Sequence, residues 1–165
     1  MTREQIYRST YLAGKVKRYH TWTMLQQQTI AEHCWRVATI YVEIFGLPRA
    51  EVLYYCLHHD SGELWTGDLP FGIKTHLEIG IAMNRAEAEG LEKLKIQLPE
   101  LTHEERVRCK ICDLMEMWET GTHEYNLGNQ YAKSIIQDTM DTAQELAQHY
   151  NCNEQMNRWV WEKLK

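Results

Sequence analysis

The stretch TIAEHCWRVATIYVEIF, residues 29–45, decides the fold that we expect for this chain. Thr29 and Glu32 have the spacing of a capping box, in which each side chain accepts a hydrogen bond from the backbone N–H of the other residue. The apolar residues recur at steps of three and four, the spacing of one helix face: Ile30, Cys34, Val37, Tyr41 and Ile44. Because Gly46 and Pro48 interrupt this pattern, we predict one amphipathic helix that ends near residue 45.

Helical periodicity continues along most of the chain. We predict a second helix from about residue 49 to about residue 60, and a long helix within residues 75–98 that ends before a proline. Thr102 and Glu105 form another capping box and open the next helix. Helical patterns return between about residues 124 and 150, and again near the C-terminus.

No stretch of the sequence alternates apolar and polar residues in the manner of a strand. We therefore expect an all-α fold, a single-domain helical bundle of about six or seven helices that spans residues 1–165. Its motif-bearing core would cover about residues 15–120, and the C-terminal helices would cover residues 124–165.

The composition and net charge limit the classes of protein to which this chain can belong. The chain has 165 residues, of which 44% are hydrophobic and 25% are charged, as in an ordinary soluble domain. The sequence contains no apolar run of membrane-spanning length and no secretory leader, so we expect a cytoplasmic protein without a membrane partner. A net charge of −5 argues against nucleic acid as a partner, although a local basic pocket would still accept a small phosphorylated ligand.

Five cysteines are present, an odd number that favours reduced thiols. Cys109 and Cys112 form a CxxC pair, but no second pair accompanies it. A lone pair of this kind is a weak signal for zinc or redox chemistry, so we expect the cysteines to be small buried apolar residues.

Histidines and carboxylates are the candidate metal ligands. His33 lies beside the apolar stripe of its helix, where a lone histidine is either a core residue or a ligand. His59 and Asp60 end the second helix, and Asp113 lies among apolar residues in KICDLMEMW, either on an outer face or buried beside a cation. Together, two imidazoles and two carboxylates suit a divalent transition metal such as Co, Mn, Zn or Fe. This ligand set leaves coordination positions for water and substrate oxygens.

Two further acids follow the His-Asp pair on the predicted loop. Glu63 and Asp68 lie where general acid–base groups beside such a metal would be needed. The alternative is a capped and solvated loop without a chemical role.

These residues carry a family resemblance. The order His33, His59-Asp60, Asp113 resembles the H…HD…D pattern of HD-domain metal-dependent phosphohydrolases, and the segments EHCWRVA, HDSGELWTGDLP and KICDLMEMWE extend the match. The element HDxxExxTGDLPxxxK is similar to the bacterial 5′-deoxynucleotidase branch and to the short phage enzymes that remove triphosphate from dATP. The resemblance covers about residues 15–120 and implies a helical bundle of the HD-domain type.

The resemblance also implies roles for single residues. His33, His59, Asp60 and Asp113 would bind the metal. Glu63 would position or deprotonate the attacking water and Asp68 would assist proton transfer to the leaving group, although the division between these two acids stays open.

The resemblance implies three substrate contacts as well. Arg18 would bind phosphate through its planar fork of donors, and Lys74 would hold phosphate as a point charge. Tyr19, at a position where the deoxynucleotidases carry tryptophan, would pack on deoxyribose and exclude a 2′-hydroxyl.

The expected function is therefore hydrolysis of a small 2′-deoxynucleotide, with no nucleic-acid substrate. We favour a dATP-type triphosphohydrolase that releases deoxynucleoside and triphosphate, with a 5′-deoxynucleotidase acting on monophosphates as the alternative. A non-catalytic nucleotide-binding HD module and a purely structural bundle are the competing classes. We expect a homo-oligomer, located in the cytoplasm, or in the host cytoplasm if the chain is encoded by a phage.

Overall fold

The computed structural model describes residues 2–68 and 77–165 and contains seven α-helices within them. The helices are α1 (Arg3–Ala13), α2 (Ile30–Phe45), α3 (Ala50–His58), α4 (Leu77–Leu94), α5 (His103–Asn126), α6 (Lys133–His149) and α7 (Asn153–Lys163). Two short 3₁₀ turns lie at Ser61–Leu64 and Gln130–Ala132. The described ranges hold no strand, only one isolated bridge between Lys17 and Thr29. The predictions of an all-α fold and of six or seven helices are confirmed.

Both predicted capping boxes are present. At the start of α2, the Thr29 N–H donates to Glu32 Oε2 at 2.7 Å, and the Glu32 N–H donates to Thr29 Oγ1 at 3.4 Å. At the start of α5, the Thr102 N–H donates to Glu105 Oε2 at 2.8 Å, and the Glu105 N–H donates to Thr102 Oγ1 at 3.2 Å. After α2, Gly46 adopts a φ of +83°, a left-handed conformation that glycine adopts at little cost.

Three helix ends differ from the predictions. Helix α3 ends at His58, two residues early, so the following His-Asp pair lies in a turn. Helix α4 ends at Leu94, because Lys95 adopts a φ of +56° that no helix can continue. Helix α5 runs on to Asn126, so residues 124–126 end this helix and do not begin the next one.

The chain divides into two compact units. The first unit comprises Met1–Cys34 and Leu57–Leu98, and its small buried core is formed by Ala13, Leu94 and Ile96. The second unit comprises Trp35–Cys56 and Pro99–Lys165. The single domain expected over residues 1–165 stays a prediction.

The second unit has the larger core. Among its fully buried side chains are Ile40, Ile111, Met115 and Met156. Cys56, Cys109, Cys112 and Cys152 are also buried there as free thiols, and Cys34 is a buried free thiol in the first unit. The prediction that the five cysteines are buried is confirmed, and their reduced state stays a prediction.

The tryptophans divide between core and surface. In the second unit the rings of Trp118 and Trp159 are buried and meet edge to face, with centroids 6.1 Å apart. Trp35, Trp65 and Trp161 are 61%, 43% and 64% exposed.

In the described ranges, no helix has both the length and the apolar character that crossing a membrane requires.

The capping box of α5 makes a testable contribution to stability. We expect Thr102→Ala to lower the free energy of unfolding by about 1 kcal/mol, because the Glu105 N–H loses its acceptor. Thr102→Ser keeps the hydroxyl and is the matched control, with stability close to that of the wild type. Urea denaturation followed by circular dichroism measures both. Equal midpoints for the alanine and serine variants would contradict the role of the cap.

Candidate metal centre

The first unit brings three predicted ligands together. His33 lies in the first turn of α2, where its backbone N–H donates to the Thr29 carbonyl at 3.1 Å and its side chain is fully buried. His59 and Asp60 lie in the turn that follows α3. The early end of α3 therefore directs the His-Asp pair toward the buried imidazole of α2.

The donor atoms of these residues converge. Asp60 Oδ2 lies 3.4 Å from His33 Nε2, and Asp60 Oδ1 lies 3.5 Å from His59 Nε2. One ligand atom from each residue lies within 4.8 Å of the others. An ion held at about 2.1 Å from each ligand atom keeps neighbouring ligand atoms about 3.0–3.4 Å apart. The three residues therefore fit a divalent ion with nitrogen and oxygen ligands.

The charge around Asp60 keeps its carboxylate ionised. Burial would raise the pKa of Asp60, but the facing imidazoles of His59 and His33 and the Arg18 guanidinium together hold it well below its usual range. Arg18 is itself buried, and its Nη1 lies 3.4 Å from Asp60 Oδ2. An ionised carboxylate is the form that binds a metal ion.

The second ring nitrogen of His59 faces a sulfur atom. His59 Nδ1 lies 3.9 Å from the Sγ of Cys34, a buried residue that directly follows His33. Ligating histidines commonly direct their second nitrogen at a hydrogen-bonding partner that fixes the ring. Sequence reasoning treated Cys34 only as a core residue, since no local pattern shows which ring it meets.

Asp113, the fourth predicted ligand, belongs to the second unit. It lies on α5, and its carboxylate accepts a hydrogen bond from Lys110 Nζ at 2.7 Å. In the part of the chain that the structure describes, the cluster of residues able to hold a metal ion consists of His33, His59 and Asp60. The role of Asp113 stays a prediction.

The two predicted acid–base residues lie in the first unit. Glu63 is buried in the 3₁₀ turn, 1% exposed, and its backbone N–H donates to the Asp60 carbonyl at 3.0 Å. The Gly67 N–H donates to the Glu63 carbonyl at 2.7 Å, which closes the turn. Asp68 follows, and its Oδ2 accepts the backbone N–H of Tyr19 at 2.8 Å. The burial of Glu63 does not match a solvated loop, whereas Asp68 is only half-buried, and the roles of both acids stay predictions.

Tyr19, next to Arg18 in the chain, is held in an unusual backbone conformation. Tyr19 is buried and has a φ of +56°, which is costly for a residue with a side chain. The Arg18 guanidinium lies over the Tyr19 ring at 5.4 Å, and Gln27 Nε2 donates to the Arg18 carbonyl at 2.7 Å. Gln27 was not anticipated from sequence because its role depends on this tertiary contact. Lys74, the other predicted phosphate contact, lies outside the described residues.

A comparison with solved structures supports the fold. The solved structure of the cyanophage S-2L HD phosphohydrolase DatZ, bound to dA and one catalytic Zn²⁺ ion, is similar to this chain with a TM-score of 0.60 and 20% sequence identity. The likeness covers 96% of this chain and 98% of that chain, and at this identity it supports the fold. No curated protein matches the sequence at a significant level.

The family is shown by sequence as well. The family profile described as HD domain matches residues 14–163. This match confirms the prediction of an HD-type hydrolase, and the cluster of two imidazoles and a carboxylate confirms that residues able to hold a metal ion are present. Because the profile extends over nearly the whole sequence, the chain belongs to the HD domain family.

Proposed function

We propose that this protein is a metal-dependent phosphohydrolase that acts on 2′-deoxynucleotides. The observation that carries the proposal is the convergence of His33, His59 and Asp60 on one point, with the buried Glu63 three residues further along the chain. The likeness to a phage HD phosphohydrolase bound to dA supports a deoxynucleoside as part of the substrate.

The proposed metal ligands are the two imidazoles and the carboxylate of this cluster. The resemblance adds Asp113 as a fourth ligand. A bound divalent ion would supply Lewis-acid stabilisation of phosphoryl oxygen and would lower the pKa of water. Nitrogen and oxygen ligands of this kind accept Zn, Mn, Fe or Co, so the native ion depends on availability in the cell.

Glu63 and Asp68 are the proposed acid–base pair. In this proposal the Glu63 carboxylate orients the attacking water and accepts its proton. The second Asp68 oxygen can serve the leaving group while the first accepts the Tyr19 N–H. A carboxylate offers about four lone-pair directions, so one hydrogen bond does not exhaust it.

Arg18 is the proposed phosphate ligand. A guanidinium carries five N–H donors, more than a single carboxylate oxygen can accept. The same side chain can therefore face Asp60 and contact a substrate phosphate. Tyr19 would pack on the deoxyribose, and Lys74 stays a predicted phosphate contact.

Two reactions are consistent with this site. We favour cleavage of a dATP-type triphosphate to deoxynucleoside and triphosphate, supported by the likeness to DatZ over nearly the full length of both chains. Hydrolysis of deoxynucleoside 5′-monophosphates is the alternative, supported by the resemblance of the TGDLP element. Assembly into a homo-oligomer stays a prediction.

The ligand set is tested by metal content. Asp60→Asn should lower the affinity for Mn²⁺ or Zn²⁺ by at least about tenfold, because a neutral amide replaces the charge between two imidazoles. Elemental analysis after dialysis against each ion gives the stoichiometry, and circular dichroism checks helicity. Asp138→Asn, an exposed change on α6, is the matched control and should keep the metal.

Elemental analysis of the metal content of Asp113→Asn tests the predicted fourth ligand. An Asp60→Asn protein with one full equivalent of metal and wild-type affinity would contradict the ligand set.

The reaction is tested with a substrate panel. We expect the protein, supplied with Mn²⁺, Co²⁺ or Zn²⁺, to release triphosphate from dATP faster than from ATP. Orthophosphate release from deoxynucleoside monophosphates alone would establish the alternative reaction. Glu63→Gln should lower kcat about 10²–10⁴-fold with metal content unchanged, since the amide cannot accept the proton. If no nucleotide in the panel is hydrolysed with any of the ions, the proposed function is wrong.

Sugar selection is tested at Tyr19. Tyr19→Ala should lower the ratio of kcat/KM for dATP over ATP by about tenfold, since the removed ring leaves room for a 2′-hydroxyl. Tyr131→Ala removes a ring that is 73% exposed in the other unit and is the matched control. A ratio equal to that of the wild type in both variants would assign sugar selection to other residues.

A further inference from the structure

Two backbone segments of the first unit approach each other too closely for side chains. The 3₁₀ turn at Gly62 meets α4 at Glu87 and Gly90. A Cβ on Gly62 would clash with the carbonyl oxygen of Glu87, and a Cβ on Gly90 would lie only 2.6 Å from the carbonyl oxygen of Gly62. Both obstacles are backbone atoms, which cannot rotate away as a side chain can.

The glycines are needed for space and not for backbone conformation. Neither Gly62 nor Gly90 has a positive φ, so an L-residue could adopt either conformation. Gly90 lies inside the 18-residue helix α4, where glycine costs about 0.5–1 kcal/mol relative to alanine. The helix therefore carries a residue of low helix propensity at a position where the turn approaches it closely.

The turn at this crossing carries Glu63. Glu63 directly follows Gly62, is 1% exposed, and donates its N–H to the Asp60 carbonyl. Directly after the turn, Trp65 packs beside Gly90 of α4, and Lys93 Nζ lies 5.5 Å from the centre of the Trp65 ring. Helix α4 thus contacts the turn and the residue after it through Glu87, Gly90 and Lys93.

We propose that Gly62 and Gly90 are positioning residues for the reaction described above. The inference rests on the proposed function of Glu63. By admitting close contact between the turn and α4, the two glycines fix the distance of the Glu63 carboxylate from Asp60. Neither glycine touches substrate, and both act through Glu63.

The test is Gly90→Ala. The added Cβ must move the turn by about 1 Å to reach an ordinary contact distance. A displacement of that size at a reacting group can lower the rate about 10²-fold. We expect kcat for deoxynucleotide hydrolysis to fall 10- to 100-fold, by the same reasoning, with KM within twofold of the wild type. Equivalents of bound Mn²⁺ should be unchanged, and thermal unfolding should stay cooperative with a lower midpoint, because the clash strains the native state.

Gly121→Ala is the matched control. Gly121 also lies inside a helix, but its added Cβ would meet only side-chain atoms of Ile135 and Ile136 at 3.2 Å, which can move. This variant should keep wild-type kcat. Gly62→Ala, where the clash is closer, should lower kcat at least as much as Gly90→Ala.

The outcomes separate this inference from the proposed function. An active wild type and an equally active Gly90→Ala protein would overturn the inference alone. A loss of kcat that follows a loss of bound Mn²⁺ or of folded protein would also overturn it, since the crossing would then support the ligands or the fold. A wild type that hydrolyses no nucleotide would overturn the proposed function, and this inference with it.

Discussion

The carboxylate of Asp60 lies between two imidazoles and a guanidinium, and the geometry of the centre depends on this arrangement of charge. Burial alone would favour a neutral carboxyl group, but His59, His33 and Arg18 together keep it ionised. Removing Asp60 would leave the buried Arg18 guanidinium without its carboxylate partner, which costs more than the loss of a single contact. The charges and dipoles of the histidines, the aspartate and Arg18 are therefore coupled, although these residues come from three separate segments of the chain.

The starts of α2 and α5 could be predicted from sequence because the signals that begin them are local, whereas α1 was not predicted and α6 begins at Lys133 and not near residue 124. The capping boxes at Thr29 and Thr102 join residues only three positions apart, so the sequence shows both partners at once. Helix ends were less predictable. Lysine has no preference for a left-handed conformation, yet Lys95 adopts one and ends α4 before the proline that was expected to do so. The end is closed by the Ile96 N–H, which donates to the Leu91 carbonyl at 3.0 Å, and the residue types alone do not show it.

In the candidate site, too, some features could be predicted from the sequence and others could not. The motif identified His33, His59 and Asp60, and the structure brings them together. The sequence could not show that Asp68 accepts the backbone N–H of Tyr19, because the two residues are 49 positions apart. That hydrogen bond gives the aspartate a second role beside the one implied by the resemblance. A carboxylate proposed to serve the leaving group also holds the backbone of the residue proposed to select the sugar.

Two residues of the first unit lower the stability of their own segments, and they help to decide whether the bundle is purely structural. A buried aromatic residue with a positive φ, Tyr19, costs about 1–3 kcal/mol, and Gly90 weakens α4 by up to about 1 kcal/mol. Each feature places a candidate site residue: the Tyr19 ring beside Arg18, and Glu63 on its turn. Local rules are broken at places where function requires it, so the two costs together favour a working site.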